Sequence, residues 1–492
     1  MFDVAIVGCG VVGAATAYEL SRYDMSVVVL ERENDIAMGA TKANSAVIHA
    51  GYDPYPGTLM AKLNVEGIKL AGELCEKLDV PFRRCGSLVL AFSDEEVAEL
   101  WRLLQKGTEN GVPGLAVLTR EEVLAMEPNI SGGVVAALHA PTAMILDPWE
   151  YTLAFAETAV RNGVDLRLEH EVTAISEADG GYRLETTGGA LIARAVINAA
   201  GVFAGEIHDM IADPAFVMKP AKGEYCLLDK SEGARVSRVV FQCPTEVGKG
   251  VLVTPTIHGN LSVGPGSVNP EGLDDVATTA DGLDYVMDTA RKSVPGLDAR
   301  AVIRNFSGNR ARTDRTDFII EEAKPRFIDL AGIKSPGLSA APAIAKMVSE
   351  MLSDGGVGAA EKPGFIDTRR RTRFRGLTHE ERAALIEADP AYGRVVCRCE
   401  TITEGEIRDA LNAPIPPRSI DAVKRRCGAG MGRCQGGFCG PRVLEILAKR
   451  YECDPTEILQ DGAGTYVLVS ETKTESSICQ GIAGRARNDA SV

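Results

Sequence analysis

The first thirty-one residues carry the pattern that most restricts the fold of this chain. A strand is predicted for residues 2–7, a helix for residues 14–23 and a second strand for residues 26–30, with G-C-G-V-V-G between the first strand and the helix. In this context Gly8 permits a tight turn, Gly10 lets a pyrophosphate approach the helix N-terminus, and Gly13 lets the helix pack on the strand. Glu31 ends the second strand and is placed to accept hydrogen bonds from a ribose. The segment therefore predicts a Rossmann-like dinucleotide-binding domain.

Four cysteines near the other end form the second informative pattern. They are spaced C-x-C and C-x4-C, at Cys397, Cys399, Cys434 and Cys439. Four thiolates suit either tetrahedral zinc or an iron–sulfur cluster. Structural zinc usually takes C-x2–4-C pairs, so the C-x-C half favours the cluster. Cys427 lies close by, and we interpret it as a bystander rather than a ligand.

Composition limits the classes of protein that this chain can belong to. A chain of 492 residues is too long to fold around one hydrophobic core, so two or three domains are expected. The formal charge of −15 argues against nucleic-acid binding. No apolar run is long enough to span a bilayer, although peripheral docking stays possible. A strand from Phe2 leaves no room for a signal peptide, so we expect a cytoplasmic protein with reduced thiols.

The middle of the chain divides by its pattern of strands and helices. Strands and helices alternate up to about residue 201, whereas short β-like runs broken by glycine and proline fill residues 220–310. A basic run at Arg369 to Arg373 interrupts an otherwise acidic protein and is interpreted as a solvated linker on the acidic body. Residues from 471 onward are expected to be frayed.

Four segments resemble a known family. They are the fingerprint V-G-C-G-V-V-G, A-T-K-A-N-S-A-V-I-H-A-G-Y (40–52), I-N-A-A-G (197–201) and A-G-I-K-S-P-G-L-S-A-A-P-A-I-A (331–345). These resemble FAD-dependent oxidoreductases of the amino-acid-oxidase and glycerol-3-phosphate-dehydrogenase superfamily. Residues 394–447 resemble bacterioferritin-associated-ferredoxin-type [2Fe-2S] domains. The pairing is similar to that in large subunits of anaerobic glycerol-3-phosphate dehydrogenases.

The resemblance implies an α/β FAD-binding Rossmann-like domain, an α+β antiparallel-sheet substrate domain and a small helical iron–sulfur module. The expected ranges are 1–85, 145–215 and 325–355 for FAD binding, 86–144 and 216–324 for the substrate domain, 356–393 for a linker, 394–447 for the [2Fe-2S] domain and 448–492 for a C-terminal tail.

The resemblance also implies the residues that hold FAD, which is favoured over NAD because only one fingerprint is present. Thr41, Asn44 and Ser45 would follow the pyrophosphate and ribityl chain, and Val172 would meet adenine through its backbone. The remaining expected contacts are Gly8, Gly10, Val12, Gly13, Glu31, Arg32, Ala200, Gly201, Gly332, Gly337, Leu338 and Ser339.

Oxidation of an alcohol by a flavin needs a base for the hydroxyl proton and, for an anionic substrate, fixed cations. His49 is the candidate base, because imidazole titrates near neutrality. Tyr52 is a candidate for a hydroxyl contact, with a packing role as the equal alternative. Arg310 is suited to a bidentate grip on phosphate or carboxylate, and Arg312 is left open between this role and a surface ion pair with Asp314 or Asp317. Further candidates are Lys334 and Lys222.

The function predicted from these features is a flavoprotein dehydrogenase acting on a small anionic secondary alcohol. sn-Glycerol 3-phosphate, oxidised to dihydroxyacetone phosphate, is the preferred substrate, with electrons leaving through the [2Fe-2S] centre to a partner subunit or a quinone-linked chain. One alternative is a 2-hydroxy-acid dehydrogenase, such as one for L-2-hydroxyglutarate, or an amino-acid dehydrogenase. A second is a zinc-stabilised scaffold without activity. A third takes electrons from a pyridine-nucleotide partner chain.

Overall fold

The predicted opening motif is present in the computed structural model, which describes residues 1–244 and 250–470. The strand Phe2–Val7 leads into the helix Val11–Leu20 and then the strand Val27–Leu30. The helix begins three residues earlier than predicted, because Gly10 already has the extended backbone of an N-cap. The predicted frayed tail from residue 471 lies outside the described residues.

An eight-stranded sheet forms the centre of the first domain. Its central strands run parallel, and a meander of antiparallel strands extends one side. The strands are Phe2–Val7, Val27–Leu30, Asp165–Arg167, Val172–Ala178, Gly181–Thr186, Gly189–Asn198, Ile319–Lys324 and Phe327–Ala331. The helices Val11–Leu20, Leu59–Lys77, Pro148–Arg161 and Gly337–Leu352 pack together over it, and the short helix Ala204–Asp209 follows its central strand.

A second eight-stranded sheet forms the substrate domain. It is antiparallel apart from one parallel pair, so the predicted architecture is confirmed. In spatial order its strands are Val302–Arg310, Ala221–Leu228, Leu261–Gly264, Leu252–Pro255, Val239–Gln242, Ser87–Ala91, Ala136–Ala140 and Ala116–Thr119. Its helices are Asp94–Glu109, Arg120–Met126 and Ala280–Ser293. A small sheet of Val47–Ile48, Met144–Leu146 and Phe82–Arg84 lies at the crossing of the two domains.

The C-terminal module, residues 394–451, has its own small core. A hairpin of Val395–Cys397 and Ile402–Thr403 precedes the helices Glu404–Leu411, Ile420–Cys427 and Gly440–Tyr451. Ser419 caps the middle helix by accepting a hydrogen bond from the Ala422 N–H. Gly428 ends that helix in the left-handed region, at a φ of 83°, and so redirects the chain into the cysteine loop.

Three features differ from the predictions. The strand Ile319–Lys324 was assigned to the substrate domain but pairs with Phe327–Ala331 in the first sheet, since a tight turn joins the two. The last helix of the first domain was predicted from Pro342 but begins at Gly337. The helix Gly440–Tyr451 runs past the expected end of the module at residue 447, because its apolar face continues into the module core.

The basic run is not a solvated linker. Arg369 is buried and pairs with Glu157 at 2.7 Å, and Arg371 and Arg373 both pair with Glu150. These contacts fasten the connecting segment across the helix Pro148–Arg161. The acidic body was the correct partner, but the contact excludes water. The helix His379–Ala388 then leads to the C-terminal module.

A buried ionic contact joins the C-terminal module to the first domain. Asp35 lies in the loop after Glu31, and its carboxylate accepts hydrogen bonds from the guanidinium groups of Arg425 and Arg426 at 2.8–3.0 Å. All three side chains are at most 5% exposed. Burial opposes ionisation of Asp35, but the two arginines outweigh it and hold its pKa well below the ordinary value.

We expect the Asp35→Ala substitution to loosen this interface, because it leaves two guanidinium groups buried without their partner. The free energy for opening the helix Ile420–Cys427 should fall by about 3–5 kcal/mol. Amide hydrogen exchange of that helix measures the change. Asp274→Ala, which breaks an exposed ion pair with Arg32, is the matched control and should cost less than about 1 kcal/mol. Equal protection in the two variants would contradict the prediction.

Candidate active site

A cleft of about 1980 Å³ lies between the first domain, the substrate domain and the C-terminal module. The glycine-rich turn, Glu31, His49 and Arg310 all line it. A space of this size and length accommodates a dinucleotide together with a small substrate.

The turn between the first strand and its helix is built to receive phosphate. Gly8 has a φ of 97°, and a Cβ at Gly13 would lie 2.1 Å from the Gly8 carbonyl oxygen, so both positions require glycine. The first N–H groups of the helix Val11–Leu20 face the cleft, and that of Val11 donates to Thr41 Oγ1 at 3.0 Å. A helix N-terminus with a hydroxyl beside it suits a pyrophosphate.

Glu31 is positioned by the backbone of the same turn. Its carboxylate accepts hydrogen bonds from the N–H groups of Cys9 at 2.8 Å and Glu33 at 3.1 Å. Burial raises the pKa of Glu31 to about 6, against the opposing effect of those two donors. A carboxylate held in this way retains acceptor capacity for ribose hydroxyls.

Most of the predicted cofactor residues lie on the cleft, and three do not. Those that line it are Gly8, Gly10, Val12, Glu31, Arg32, Thr41, Asn44, Ser45, Val172, Ala200, Gly201, Gly337 and Leu338. Gly13, Gly332 and Ser339 lie behind it. Ser339 instead accepts a hydrogen bond from the His49 N–H at 2.8 Å, so it positions the loop that carries His49.

The His49 imidazole faces the cleft from a well-held loop. Its Nε2 is 3.2 Å from the Ser335 hydroxyl, and its ring is 5.8 Å from the ring of Phe241. The His49 carbonyl accepts a hydrogen bond from the Asn64 side chain at 2.8 Å. These contacts fix the backbone of His49 while one side of its ring stays on the cleft.

Tyr52, a predicted substrate contact, does not line the main cleft. It is 7% exposed and packs in the core beneath the second sheet, where Gly107 lies against its backbone and Cβ. Burial raises its pKa well above the ordinary value. The structure therefore gives Tyr52 a packing position behind the His49 loop.

The cationic candidates separate into two groups. Arg310, Arg312 and Lys334 line the cleft, with Arg310 Nη2 held by the Gly266 carbonyl at 2.6 Å and Lys334 Nζ by the Thr316 carbonyl at 3.0 Å. Lys222 is instead buried in an ion pair with Asp275 at 2.7 Å.

Arg312 makes no ion pair with Asp314 or Asp317 within the residues that the structure describes. Asp317 accepts hydrogen bonds from the first two N–H groups of the helix Leu59–Lys77, and Asp314 from the Val217 N–H. The surface pair considered for Arg312 is therefore wrong.

Sequence reasoning missed several cleft residues. The Tyr225 ring stacks on Phe306 at 4.8 Å, and its hydroxyl lies 3.4 Å from Ser45 Oγ. Strand alternation was the available signal for Tyr225. In the strand Ala221–Leu228 its side chain points to the opposite face of the sheet from those of Lys222 and Glu224. Lys424 also lines the cleft, and burial lowers its pKa to about 8. No local pattern marks Lys424, since it comes from the C-terminal module.

The four predicted ligand cysteines converge in the C-terminal module. The sulfurs of Cys397 and Cys399 are 3.7 Å apart, and Cys439 and Cys434 hydrogen-bond to Cys397 and Cys399 respectively. A Cβ on Gly432 would lie 2.4 Å from the Cys399 sulfur, so the loop closes tightly on the thiols. Among residues 1–244 and 250–470, no three His, Cys, Asp or Glu side chains surround one point as ligands of a single ion would. A [2Fe-2S] cluster takes two thiolates on each iron and needs no such group.

Backbone N–H groups point at these sulfurs, as the glycine-rich sequence predicts. A hydrogen bond from Cys439 and the N–H groups of Gly430 and Glu400 lower the pKa of Cys397 to about 5. The Phe438 N–H lowers the pKa of Cys434. Burial and the neighbouring thiols instead raise the pKa of Cys399 to about 11, and the hydrogen bond to Cys397 and burial raise that of Cys439 well above its ordinary value. The backbone donors therefore favour the thiolate form that iron binds at Cys397 and Cys434.

Cys427 points away from the thiol group and donates to the Val423 carbonyl within its own helix. Burial raises its pKa to about 12, so it stays a neutral thiol.

Comparison with family models decides the classification. Residues 3–351 match the family described as FAD dependent oxidoreductase. This chain belongs to the FAD-dependent oxidoreductase family. Residues 395–449 match the BFD-like [2Fe-2S] binding domain, so the oxidoreductase carries an iron–sulfur domain at the position predicted from its cysteines. Its cofactors are FAD and a [2Fe-2S] cluster, and the turn, Glu31 and the thiols fit them.

Within this family, the chain is similar to several individual proteins. It is 49% identical over 478 residues to a protein named glycerol 3-phosphate dehydrogenase from Caloramator mitchellensis, covering 96% of this chain and 100% of that one. A structure of L-alpha-glycerophosphate oxidase from Mycoplasma pneumoniae with FAD bound superposes with a TM-score of 0.71 at 34% identity, over 75% of this chain and 98% of that one. Mitochondrial L-2-hydroxyglutarate dehydrogenase of Homo sapiens is 33% identical over 54% of this chain and 61% of its own length.

No helix in the described ranges is both long and apolar enough to cross a membrane. The eleven cysteines among these residues are all free thiols.

We expect the affinity for FAD to depend on the ionisation of Glu31. The ionised carboxylate of Glu31 is a better acceptor for ribose hydroxyls than the protonated form. The affinity for FAD should therefore reach its full value above pH 6 and fall as the pH drops through that value. The dissociation constant of FAD should rise about tenfold between pH 7 and pH 5. Fluorescence titration of the apoprotein measures it. Glu31→Gln should bind FAD more weakly at pH 7 and lose this pH dependence; an unchanged profile in Glu31→Gln would contradict the assignment.

Substitution of single cysteines should distinguish the cluster ligands from the neighbouring Cys427. We expect Cys434→Ser to lose most of the cluster, because serine is a poor ligand for iron in place of a soft thiolate. Cys427→Ser should keep full iron content, because Cys427 bonds within its own helix. Iron and sulfide analysis with visible absorbance checks both variants, and loss of iron in Cys427→Ser would show that the ligand set is wrong.

Proposed function

We propose that this enzyme oxidises sn-glycerol 3-phosphate to dihydroxyacetone phosphate. The observation that carries the proposal is the composition of the cleft wall, to which His49, Arg310, Arg312 and Lys334 all contribute. Such a site offers a proton acceptor beside several cations, as the oxidation of a phosphorylated alcohol requires. The 49% identity to a glycerol 3-phosphate dehydrogenase over its full length supports this substrate.

In this proposal each part of the cleft wall has one task. Arg310 grips the phosphate, with its guanidinium already oriented by the Gly266 carbonyl. Arg312 and Lys334 add positive charge and help to orient the substrate. His49 takes the proton of the reacting hydroxyl, and the Ser335 hydroxyl beside Nε2 orients its ring.

Bound FAD supplies the hydride acceptor for this oxidation, and the [2Fe-2S] cluster supplies a one-electron outlet. Thr41, Asn44, Ser45, Val172 and the glycine-rich turn are proposed to hold FAD along the cleft. Tyr225 closes the cleft opposite Ser45 and excludes water from the substrate.

The alternative substrates have weaker support. Similarity to human L-2-hydroxyglutarate dehydrogenase covers 54% of this chain. A carboxylate would satisfy Arg310 as well as a phosphate does, and both substrates carry about two negative charges at neutral pH. The preference for glycerol 3-phosphate therefore rests on the 49% identity over 96% of this chain.

The proposal places the enzyme in the cytoplasm, where cysteines without disulfide bonds and a thiolate-ligated cluster are stable. Electrons then leave to a separate acceptor, either a protein or a quinone-linked partner.

An anaerobic substrate panel tests the substrate. With a dye as acceptor, glycerol 3-phosphate should bleach the dye at least tenfold faster than L-2-hydroxyglutarate, glycerol or glycine. Bleaching by L-2-hydroxyglutarate alone would overturn the proposed substrate while leaving the flavoprotein dehydrogenase intact.

Single substitutions should separate proton transfer from phosphate binding. His49→Gln should lower kcat by about 10²–10⁴-fold with little change in KM. Arg310→Gln should raise KM about 10- to 100-fold, as expected for loss of a charged hydrogen bond. Tyr52→Phe is the control and should leave both constants near the wild-type values, because Tyr52 lies in the core. A large effect of Tyr52→Phe would restore it to the active site.

A further inference from the structure

The cysteine loop, residues 428–440, has two faces with different surroundings. Met431 and Gln435 line the cleft. On the other side, the Phe438 side chain is 87% exposed, although it lies next to the buried ligand Cys439. Cys399 is likewise exposed. One loop therefore borders the cleft and also carries, next to a buried ligand cysteine, an aromatic side chain that is open to solvent.

The charge of this region is opposite to that of the rest of the protein. Residues 395–449 contain nine Lys or Arg and six Asp or Glu, whereas the whole chain has 53 and 68. Four exposed arginines lie in the cysteine segments or directly beside them: Arg394, Arg398, Arg433 and Arg442. We name these four side chains together with Phe438 the Phe438 face.

Three of these arginines are held in place by carboxylates. Arg394 pairs with Glu404 at 3.2 Å, Arg433 with Asp229 at 2.8 Å, and Arg442 with Glu445 at 2.7 Å. Arg398 has no ion pair within the described part of the chain. It stands between the ligands Cys397 and Cys399, so the surplus positive charge of the face lies beside the thiols.

We propose that the Phe438 face is the docking surface for an acidic one-electron carrier protein. This inference rests on the proposed dehydrogenase function and adds the chemistry of its acceptor. Aromatic and arginine side chains dominate binding at protein interfaces, and Phe438 is the exposed apolar anchor that such a site needs. Oxidation of one substrate molecule releases two electrons and two protons. The electrons reduce two carrier molecules in succession, and the protons pass to solvent.

A small protein fits this face better than a lipid bilayer does. At physiological ionic strength, charge is screened beyond about 10 Å, so a small carrier senses the basic module and little of the remaining surface. A flat anionic bilayer contacts a much wider area, in which acidic residues predominate. Phe438 is also one of few exposed large apolar side chains in the module, where the others are Val395 and Tyr451.

The test uses two soluble haem proteins of opposite charge as probes: the acidic soluble domain of cytochrome b5 and the basic cytochrome c. The holoenzyme is reduced with one equivalent of dithionite, so the outcome does not depend on the substrate. Binding is measured by calorimetry, and haem reduction by stopped-flow absorbance. We expect the acidic protein to bind and to be reduced at a rate that falls about tenfold between about 20 and 300 mM salt, because salt screens the electrostatic attraction that brings the two proteins together. Cytochrome c is attracted to the acidic remainder of the surface, so its binding should not change in Phe438→Ala or Arg398→Glu.

Two variants locate the contact. Phe438→Ala and Arg398→Glu should each weaken binding of the acidic probe about tenfold and slow its reduction by a similar factor. Reduction of a small dye and the absorbance of the cluster should stay unchanged in both. Trp101→Ala and Arg120→Glu are matched substitutions of exposed residues in the substrate domain, and both should behave like the wild type.

Three results would overturn the proposal. One is absence of measurable binding by the acidic probe at about 20 mM salt, where electrostatic attraction is strongest. A second is unchanged binding of the acidic probe by Phe438→Ala and Arg398→Glu. The third is preferential binding to vesicles of anionic lipid containing quinone, with Phe438→Ala abolishing it. Failure of the substrate panel affects none of these readouts, so the two proposals are distinguished.

Discussion

The buried contact of Asp35 with Arg425 and Arg426 is the interaction that holds the C-terminal module in position against the first domain. Asp35 belongs to the loop that follows Glu31, and the two arginines belong to the helix that leads into the cysteine loop. The same contact therefore ties the FAD-binding turn to the iron–sulfur domain. Asp461, beyond that domain, reinforces it by pairing with Arg425 and Lys42. Desolvated charges of this kind are stable only with all partners present, so the module has one well-defined position.

This position makes the cleft a composite of three parts of the chain. The first domain supplies the helix N-terminus and Glu31, the substrate domain supplies Arg310 and Tyr225, and the C-terminal module supplies Lys424 and Met431. Electron transfer between two centres requires a short and constant separation. A rigid ionic interface meets this requirement better than a flexible linker, which agrees with the burial of Arg369 in the connecting segment.

The correct sequence-based predictions concern motifs in which the chemistry is local. The turn from Gly8 to Gly13 and the cysteine pairs are recognisable because each group of residues acts within a few positions of the chain. Predictions failed where distant packing decided. Tyr52 follows the flavin-type motif but turns into a core, Lys222 pairs with Asp275, and Arg369 lies in a buried ion pair instead of water. Lys424 was missed because nothing in its own neighbourhood distinguishes it from other helix residues, and strand alternation places Tyr225 on one face of its strand without showing that this face meets the cleft.

The sequence alone determined the cofactors and the order of the domains, because glycines that permit one backbone geometry and thiolates that prefer iron act through their own chemistry. It also indicated His49 and Arg310 as the reactive pair. Only the tertiary structure decided which side chains share the cleft, where the iron–sulfur domain is attached and which of its faces meets solvent. Those properties depend on burial and on charge pairing between residues hundreds of positions apart, and no local pattern encodes them.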